Sequence, residues 1–326
     1  MTGIFRAAML GAACLASLAA GTGRAAAADY PNRPVRWLIG FTAGGPVDTV
    51  ARIMAQWLSE RFGQQFVVEN RAGSGGNLAA AAAINSPPDG YTLLFVAPNN
   101  AISTSLYKKL PYDFIRDTVP VASIMQLTNM MVVPTSLPVK TVQEFIDYCK
   151  ANPGKVSYAS SGNGTSVHMS AELFKALTKV EMTHVPYRGS SAAMPDLISN
   201  KVQVLFDNLP SSLPHIHAGK LRALAVASEK RVASLPDVPT FAETGQPLVN
   251  DPSWFGLIGP AKLPDDIVKR LHSALVATLK QPEAQKHLQA AESIAVGNSP
   301  DAFRKVVAVA LENTRKVVRE AKLKFD

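Results

Sequence analysis

The 326-residue sequence predicts an α/β protein built as two lobes with a ligand cleft between them. Three observations predict this fold. The length exceeds the ~150 residues typical of one domain, apolar strand-like runs alternate with helical periods, and the alternation restarts near Met130. An apolar content of 47% and a charged content of 18% exclude a disordered or fibrous chain. Such alternation is typical of a parallel-rich sheet flanked by helices, here one in each lobe.

The first lobe is predicted from strands and helices at both ends of the chain. Its first strands are predicted at 35–41, 66–68 and 92–97, with helices at 47–62 and 78–84. An apolar run at 254–259 returns the chain to the same sheet, and helical patterns follow at 264–280, 283–291 and 301–322. We therefore assign residues 29–128 and 252–326 to the first lobe.

The second lobe is predicted to comprise residues 129–251. Its strands are predicted at 130–133, 156–160, 181–185, 202–206 and 221–227, with helices at 167–177 and 192–199. The chain then crosses twice between the lobes, near residues 126–131 and 248–254, and we expect these crossings to form a hinge. Clefts of this kind bind ligands beyond the carboxyl ends of the strands.

The N-terminal segment, residues 1–28, has the pattern of a secretory signal peptide. Arg6 precedes an apolar run of small residues and leucine, and an A-x-A site ends at Ala28, where we expect cleavage. The alternative is a membrane anchor, but the run is shorter than the ~20 residues that a transmembrane helix needs. Cleavage leaves Cys149 as a single thiol, so we expect no intramolecular disulfide.

Four predicted strand-to-helix loops are rich in glycine and small polar residues. They lie at residues 41–48, 71–77, 160–165 and 186–191. Unpaired amides at a helix start, together with the helix dipole, form a site for anions. Two such loops in each lobe suit a small molecule with a carboxylate at each end, although ordinary glycine turns would give the same pattern.

Charge and motifs exclude several other functions. The formal net charge of +8 suits an anionic ligand, but the lysines and arginines form no run that would indicate a nucleic-acid partner. Residues 73–77 lack the third glycine of a dinucleotide-binding motif, so we expect no cofactor. His215 and His217 have no nearby cysteine or acidic ligand, and we therefore expect no metal site.

Two features leave other roles open. Ser160 or Ser161 with His168 could form a nucleophile and base, although the sequence lacks a G-x-S-x-G elbow. The first alternative is therefore an exported hydrolase. Asp207 ends a predicted strand on the cleft side, where it could contact a ligand or a backbone amide.

Six segments resemble, in order, the TctC-type (Bug family) solute-binding proteins of tripartite tricarboxylate transporters. They are FTAGGPVD at 41–48, NRAGSGGN at 70–77, DGYTLL at 89–94, SGNGT at 161–165, HVPYRG at 184–189 and AGKLRALAV at 218–226. The resemblance implies a type II periplasmic binding protein that closes like a flytrap on a small organic carboxylate. It also implies delivery of that ligand to the membrane permease subunits of the transporter. The protein would be no enzyme, and we expect a monomer.

The resemblance also implies a set of ligand-binding residues in both lobes. They are Thr42, Ala43, Gly44, Asp48, Gly76 and Asn77 in the first lobe, and Ser161, Gly164, Thr165, Tyr187 and Asp207 in the second. Val47 departs from the family pattern, because that place is often polar in relatives, and this departure affects ligand choice. Ser199-Asn200-Lys201 stands where family members usually have a Gly-Gln stretch, and we expect this difference to change only the turn. A ligand-sensing module for a membrane receptor stays a further alternative, because sensing and delivery use the same closed surface.

Overall fold

The computed structural model describes residues 29–320, except residues 108, 248, 250, 251 and 291. The predicted signal peptide and the end of the last predicted helix lie outside the described residues. In chain order the strands are β1 Val35–Ile39, β2 Phe66–Asn70, β3 Thr92–Val96, β4 Thr118–Leu127, β5 Asn129–Pro134, β6 Ser157–Ser160, β7 Thr183–Pro186, β8 Val204–Asn208, β9 Leu221–Ala227, β10 Ser253–Pro260 and β11 Ser293–Ala295. The helices are α1 Pro46–Phe62, α2 Asn77–Ile84, α3 Pro98–Leu106, α4 Val142–Ala151, α5 Ser166–Thr178, α6 Ser190–Ile198, α7 Leu209–His217, α8 Asp265–Leu279, α9 Pro282–Ala290 and α10 Pro300–Glu320.

The strands form two sheets, one in each lobe. The first has the order β11-β4-β10-β3-β1-β2 and the second the order β7-β6-β8-β5-β9. In each sheet three strands run parallel: β1 with β2 and β3, and β6 with β7 and β8. The predicted α/β fold with two parallel-rich lobes is confirmed.

The remaining strands run antiparallel, which the sequence does not predict. Strand β10 pairs antiparallel with both β3 and β4, and β5 pairs antiparallel with β8 and β9. The register shows why, because Leu127 at the end of β4 lies opposite Ser253 at the start of β10. A strand that leaves for the second lobe and a neighbouring strand that returns from it must run in opposite directions.

Each sheet is covered on both faces by helices. In the first lobe Trp37 and Leu271 are buried on one face, whereas Leu94 and Phe303 are buried on the other. A cluster of aromatic rings, including Phe145, Phe174, Phe206 and Phe241, fills one face of the second sheet. Cys149 is buried in the same cluster, and burial raises the pKa of its thiol to about 12. Within the described ranges, no helix combines the length and the apolar character that a membrane span requires.

The two sheets are joined where β4 leads into β5 and where the chain returns to β10. A polar network lies at this junction. The Asn208 side-chain amide donates to Asn129 Oδ1 at 2.7 Å and to Ser253 Oγ at 2.9 Å. Ser253 Oγ in turn donates to Asn129 Oδ1 at 2.8 Å and contacts the Ser166 hydroxyl. All four side chains are buried, so the network ties β10 to β5, β8 and α5.

Candidate ligand-binding cleft

A cavity of about 30 Å³ lies between the two lobes. The first lobe lines it with Phe41, Thr42, Gly45, Val47, Ala97, Pro98, Asn99, Ser253 and Phe255, and the second with Ser161, Thr165, Ser166, Gly189, Ser190, Ser191 and Asn208. None of these lining residues, all within the described part of the chain, is charged. Any net charge on a ligand is therefore met by hydrogen bonds and helix dipoles rather than by a cationic side chain.

The wall from the first lobe is mostly apolar. Phe41 follows β1, and Val47 occupies the first turn of α1. Pro98 begins α3, directly after the apolar strand β3, and Phe255 comes from β10. Val47 and Phe255 are 5% and 2% exposed, so both side chains are packed against the protein interior. Only a small part of each side chain is therefore open to the cavity.

The wall from the second lobe is made of hydroxyl groups and helix starts. Helix α5 begins at Thr165, whose hydroxyl accepts the His168 amide at 3.3 Å and thereby caps the helix. Helix α6 begins after Gly189 without any side-chain cap. Its first residues, Ser190 and Ser191, line the cavity, so the amides at this helix start are available to an anion there.

The lobes contact each other across the cleft. The hydroxyls of Thr42 and Ser191 are 3.5 Å apart, and Ile102 packs with Met169 of the opposite lobe. At the other side of the cleft, a Cβ added to Gly75 would collide with the Asn163 carbonyl oxygen. A Cβ added to Gly189 would lie 2.7 Å from Thr42 Oγ1. The lobes are thus in a closed arrangement that depends on the small size of two glycines.

Three of the residues predicted to bind ligand line the cavity directly, namely Thr42, Ser161 and Thr165. Gly44 instead lines an adjoining groove that shares Gly45 and Ser191 with the cavity. Ala43 lies next to Thr42 in the same loop and does not line the cavity.

Three further predicted residues of the first lobe hold its loops in place. The Asp48 carboxylate accepts the Gly44 amide at 3.0 Å, Arg52 Nε at 2.9 Å and Asn70 Nδ2 at 2.9 Å. Burial raises the pKa of Asp48, but these hydrogen bonds outweigh it and hold the pKa below its usual value. Asn77 Oδ1 accepts the Tyr112 hydroxyl at 2.6 Å, and Gly76 leaves no room for a Cβ beside Asn99.

The remaining predicted residues of the second lobe also act behind the cavity wall. Gly164 donates its amide to His168 Nδ1 at 3.1 Å, and the Tyr187 hydroxyl donates to Asp196 at 2.9 Å. The fully buried Asp207 accepts hydrogen bonds from Ser190 Oγ and, at 2.6 Å, from Ser212 Oγ. Burial raises the pKa of Asp207 to about 6, although the hydrogen bonds from both serines lower it in part. Asp207 therefore positions the start of α6 through Ser190.

Several cavity residues are missing from the sequence-based set. Asn99 lies in the first turn of α3, after the run Ala97–Pro98, and a proline just after an apolar strand is the signal that could have revealed it. Ser190 and Ser191 lie within the predicted loop 186–191 but are not among the residues predicted to bind the ligand. The local sequence around Ser253 and Phe255 does not indicate that they line the cavity, because their position there depends on how β10 pairs with β3 and β4.

The hydrolase hypothesis required Ser160 or Ser161 to work with His168. In the structure His168 accepts the Gly164 amide, and its ring stacks on His184 at 4.1 Å between centroids. Ser160 instead lies 2.7 Å from His184 Nε2 and is fully buried. Burial lowers the pKa of His184 to about 4 and lowers that of His168 well below its usual value, so both rings are neutral at pH 7. This buried stack supports the α5 loop from behind. In the described part of the chain, no cluster of three histidine, cysteine, aspartate or glutamate residues could hold a metal ion.

Two lobes that close on a cavity lined by uncharged residues are typical of a solute-binding protein. The family model described as the tripartite tricarboxylate transporter family receptor, TctC, matches residues 50–323, and the chain belongs to this family. The family consists of periplasmic solute receptors rather than enzymes.

Named relatives agree with this assignment. Protein BugT of Bordetella pertussis is 35% identical over 299 residues, which cover 90% of this chain and 92% of BugT. A protein from the tcbD-tcbE intergenic region of Pseudomonas sp. strain P51 is 36% identical over 295 residues, or 90% of this chain and 88% of that protein.

Solved structures have the same fold. A periplasmic transporter is 39% identical with a TM-score of 0.87, covering 91% of this chain and 100% of the other. A Rhodopseudomonas palustris protein solved with adipate is 37% identical with a TM-score of 0.87, covering 91% and 99%. MatC from R. palustris with bound malate is 29% identical with a TM-score of 0.85, covering 89% and 100%.

Proposed function

We propose that this protein captures a small organic carboxylate by flytrap closure and delivers it to a tripartite tricarboxylate-type membrane transporter. The observation that carries the proposal is the uncharged cavity between two lobes that touch across it. One wall offers hydroxyls and the uncapped start of α6, which together suit a carboxylate. Adipate in one relative and malate in another support a carboxylate as the ligand class.

The proposal extends to location and partners. A signal peptide cleaved near Ala28 would release the mature protein into the periplasm as a monomer. There the closed lobes would present the ligand to the permease subunits. The lobes would comprise residues 29–128 with 252–326 and residues 129–251, and they would rotate about the crossings near 126–131 and 248–254. The single residue between β4 and β5, Thr128, supports a hinge in which few residues absorb the change.

We further propose two roles for the residues at the site. Thr42, Ser161 and Thr165 would contact the ligand, with Ala43 and Gly44 contributing backbone close to it. Gly76, Asn77, Gly164 and Tyr187 would hold the loops that carry these contacts. Asp48 and Asp207 would do the same from opposite lobes, since each accepts hydrogen bonds from its own lobe.

The test is a thermal-shift screen of mono-, di- and tricarboxylates, followed by small-angle scattering with the best ligand. A ligand at 100 times its Kd should add about 2.7 kcal/mol to the free energy of unfolding. The radius of gyration should fall on binding, and light scattering should report a monomer. Stabilisation only by uncharged solutes would contradict carboxylate capture, an unchanged radius would contradict the flytrap, and consumption of the ligand would indicate an enzyme.

A further inference from the structure

Two stacked histidines lie behind the loop that carries Ser161 and Thr165 to the cavity. His168, in the first turn of α5, is 1% exposed, and His184, on strand β7, is half-buried. Their rings lie 4.1 Å apart between centroids, with 12° between the ring planes. Neither ring lines the cavity, so an effect of either ring on ligand binding passes through loop 161–165.

Each ring holds one end of this loop by hydrogen bonds. His168 Nδ1 accepts the Gly164 amide at 3.1 Å. His184 Nε2 lies 2.7 Å from Ser160 Oγ, which in turn accepts the Gly162 amide at 3.2 Å. Both glycines have a positive φ, 134° at Gly162 and 73° at Gly164. The hydrogen bonds therefore fix a backbone that glycine alone would leave free to adopt other conformations.

The shape of this loop sets several contacts of the cleft together. Ser161 and Thr165 line the cavity on either side of the glycines that the rings hold. The carbonyl oxygen of Asn163, between these glycines, lies where a Cβ on Gly75 of the opposite lobe would collide. A shift of the loop would therefore move two cavity-lining residues and the contact between the lobes at once.

The hydrogen bond from Gly164 fixes the protonation state of His168. A ring nitrogen that accepts an N–H group carries no proton, so the ring is neutral and its proton is on Nε2. A second proton, on Nδ1, would face the Gly164 N–H group and break the hydrogen bond. The observed loop therefore requires the neutral form of His168.

The surroundings of the two rings also favour the neutral form. Tyr158 on β6 stacks on His184 at 4.6 Å between centroids, and its hydroxyl donates to Glu172 on α5. Glu172 also pairs with Lys175 at 2.8 Å, so its carboxylate already accepts two hydrogen bonds. Burial, partly offset by Glu172, lowers the pKa of His184 to about 4. Burial and the neighbouring His184 lower the pKa of His168 well below its usual value.

Resting on the proposed function, we propose that His168 and His184 are positioning residues of the cleft, which hold loop 161–165 in its ligand-binding shape only while both rings are neutral. A proton on His168 removes the acceptor for the Gly164 amide. A proton on either ring also places a cation against the other ring of the stack. Acid therefore weakens ligand binding through side chains that do not line the cavity.

The first experiment exchanges amide side chains at the two positions. The Oδ1 atom of asparagine takes the place of a histidine Nδ1, whereas the amide of glutamine reaches the place of Nε2. We expect His168→Asn to bind ligand about 10-fold more tightly than His168→Gln, because only asparagine offers an acceptor to the Gly164 amide. The order is reversed at the other ring, where His184→Gln should bind about 10-fold more tightly than His184→Asn.

Titration calorimetry measures these affinities. The probe is whichever of adipate, malate, citrate and benzoate binds the unmodified protein most tightly. His287→Asn and His287→Gln, at an exposed histidine of α9, are the matched controls and should bind the probe equally. Equal affinity within the His168 pair and within the His184 pair, in proteins folded by circular dichroism, would overturn the proposal. A merely structural role gives a loss that does not depend on which ring nitrogen is replaced.

The pH dependence of binding separates the two rings from other titrating groups. The double variant His168→Asn/His184→Gln has no ring that can be protonated behind the loop. The ratio of the affinity of the unmodified protein to that of the double variant cancels the titration of the ligand and of Asp207. This ratio should fall by about 2-fold between pH 7 and pH 4, where half of the His184 rings carry a proton. An unchanged ratio would overturn the proposal.

NMR of the unmodified protein needs neither a ligand nor a variant. At pH 7, long-range ¹H–¹⁵N spectra should show His168 protonated on Nε2 alone, and acid should shift the Gly164 amide signal in step with the ring. A proton on Nδ1 at pH 7, or a Gly164 amide that does not follow the ring, would overturn the proposal even where the variants fail to fold. Failure of all four acids to bind would instead contradict carboxylate capture, and the NMR result would still decide whether the rings hold the loop.

Discussion

The two walls of the cleft differ in chemistry, although both are built where strands end and helices begin. In the first lobe the apolar Phe41, Val47 and Pro98 accompany the polar Thr42 and Asn99 at these junctions, whereas in the second most of the residues are serines and threonines. The same backbone arrangement thus presents a more apolar surface on one side and mainly hydrogen-bonding groups on the other. Closure brings these two different surfaces together around one cavity.

The lobes also differ in how their acidic residues support the site. Asp48 in the first lobe pairs with Arg52 and stays ionised, because hydrogen bonds hold its pKa below the usual value. Asp207 in the second lobe is fully buried, with serine hydroxyls as hydrogen-bond donors, and its pKa is raised to about 6. The second lobe therefore contains a supporting group that titrates within an accessible pH range.

The largest effect is expected where the lobes meet. Gly75→Ala should reduce ligand affinity by about 100-fold or more, because its Cβ would collide with the Asn163 carbonyl oxygen on closing, and a 100-fold loss corresponds to about 2.7 kcal/mol. Gly63→Ala is the matched control, since Gly63 has a φ of 65° against 60° for Gly75 and has open space around it. Calorimetry and scattering on both variants separate collision from backbone strain. Equal losses in the two would show that the contact does not limit closure.

The pH dependence tests the second lobe. A carboxyl whose pKa is raised on folding binds protons more tightly in the folded state, so stability falls as pH rises from about 4 to 6. In Asp207→Asn this contribution is absent, and the difference in unfolding free energy between the two proteins should change by about 1–2 kcal/mol across that range. His168 and His184 act in the opposite direction but are common to both proteins. A pH-independent difference in urea unfolding would contradict the raised pKa.

A smaller effect is expected at the junction between the lobes. Ser253→Ala removes a hydroxyl that bonds to Asn129 and Asn208, and should lower the unfolding free energy by about 1 kcal/mol. Ser228→Ala, which removes a half-buried hydroxyl that donates to the Lys230 carbonyl, is the control and should change it by less than about 0.5 kcal/mol. Denaturant titration measures both. If the two variants are equally stable, the polar network does not stabilise the junction.

The smallest effect is expected for the arginines near the cleft. Arg188 is exposed in a neighbouring pocket, and Arg71 pairs with Glu69 at 2.6 Å. Neither lines the main cavity, so Arg188→Ala and Arg71→Ala should each change ligand affinity by less than about 3-fold, or roughly 0.6 kcal/mol. A loss of ligand affinity above 10-fold for either variant, measured by calorimetry, would mean that the arginine side chain contacts the ligand.

The loops of the cleft can be predicted from local sequence, because apolar runs that end in glycine and small polar residues indicate strand-to-helix junctions. Loops 41–48, 160–165 and 186–191 line the cavity as this pattern suggests. Loop 71–77 does not line it, and Gly75 instead contacts Asn163 and holds Asn99. That difference depends on how two distant lobes meet, which no local pattern encodes.

Strand direction sets the other limit. Residues 254–259 are predicted to return to the first sheet, and β10 does so. However, its antiparallel place between β3 and β4 follows from the crossing between lobes, and only that place brings Ser253 and Phe255 to the cavity. Strand β4 and helix α3 are not predicted from the sequence for a related reason, because their residues mix polar and apolar types and are buried by tertiary contacts.

The described residues that line the cavity are all uncharged. This feature has a consequence for how ligand binding depends on ionic strength. Mobile ions screen exposed charges beyond a Debye length of about 8 Å in 0.15 M salt, but they screen enclosed interactions far less. A ligand held by hydroxyls and a helix start inside a closed cavity is shielded from those ions. We therefore expect the closed complex to hold its ligand about equally well in dilute and in saline surroundings.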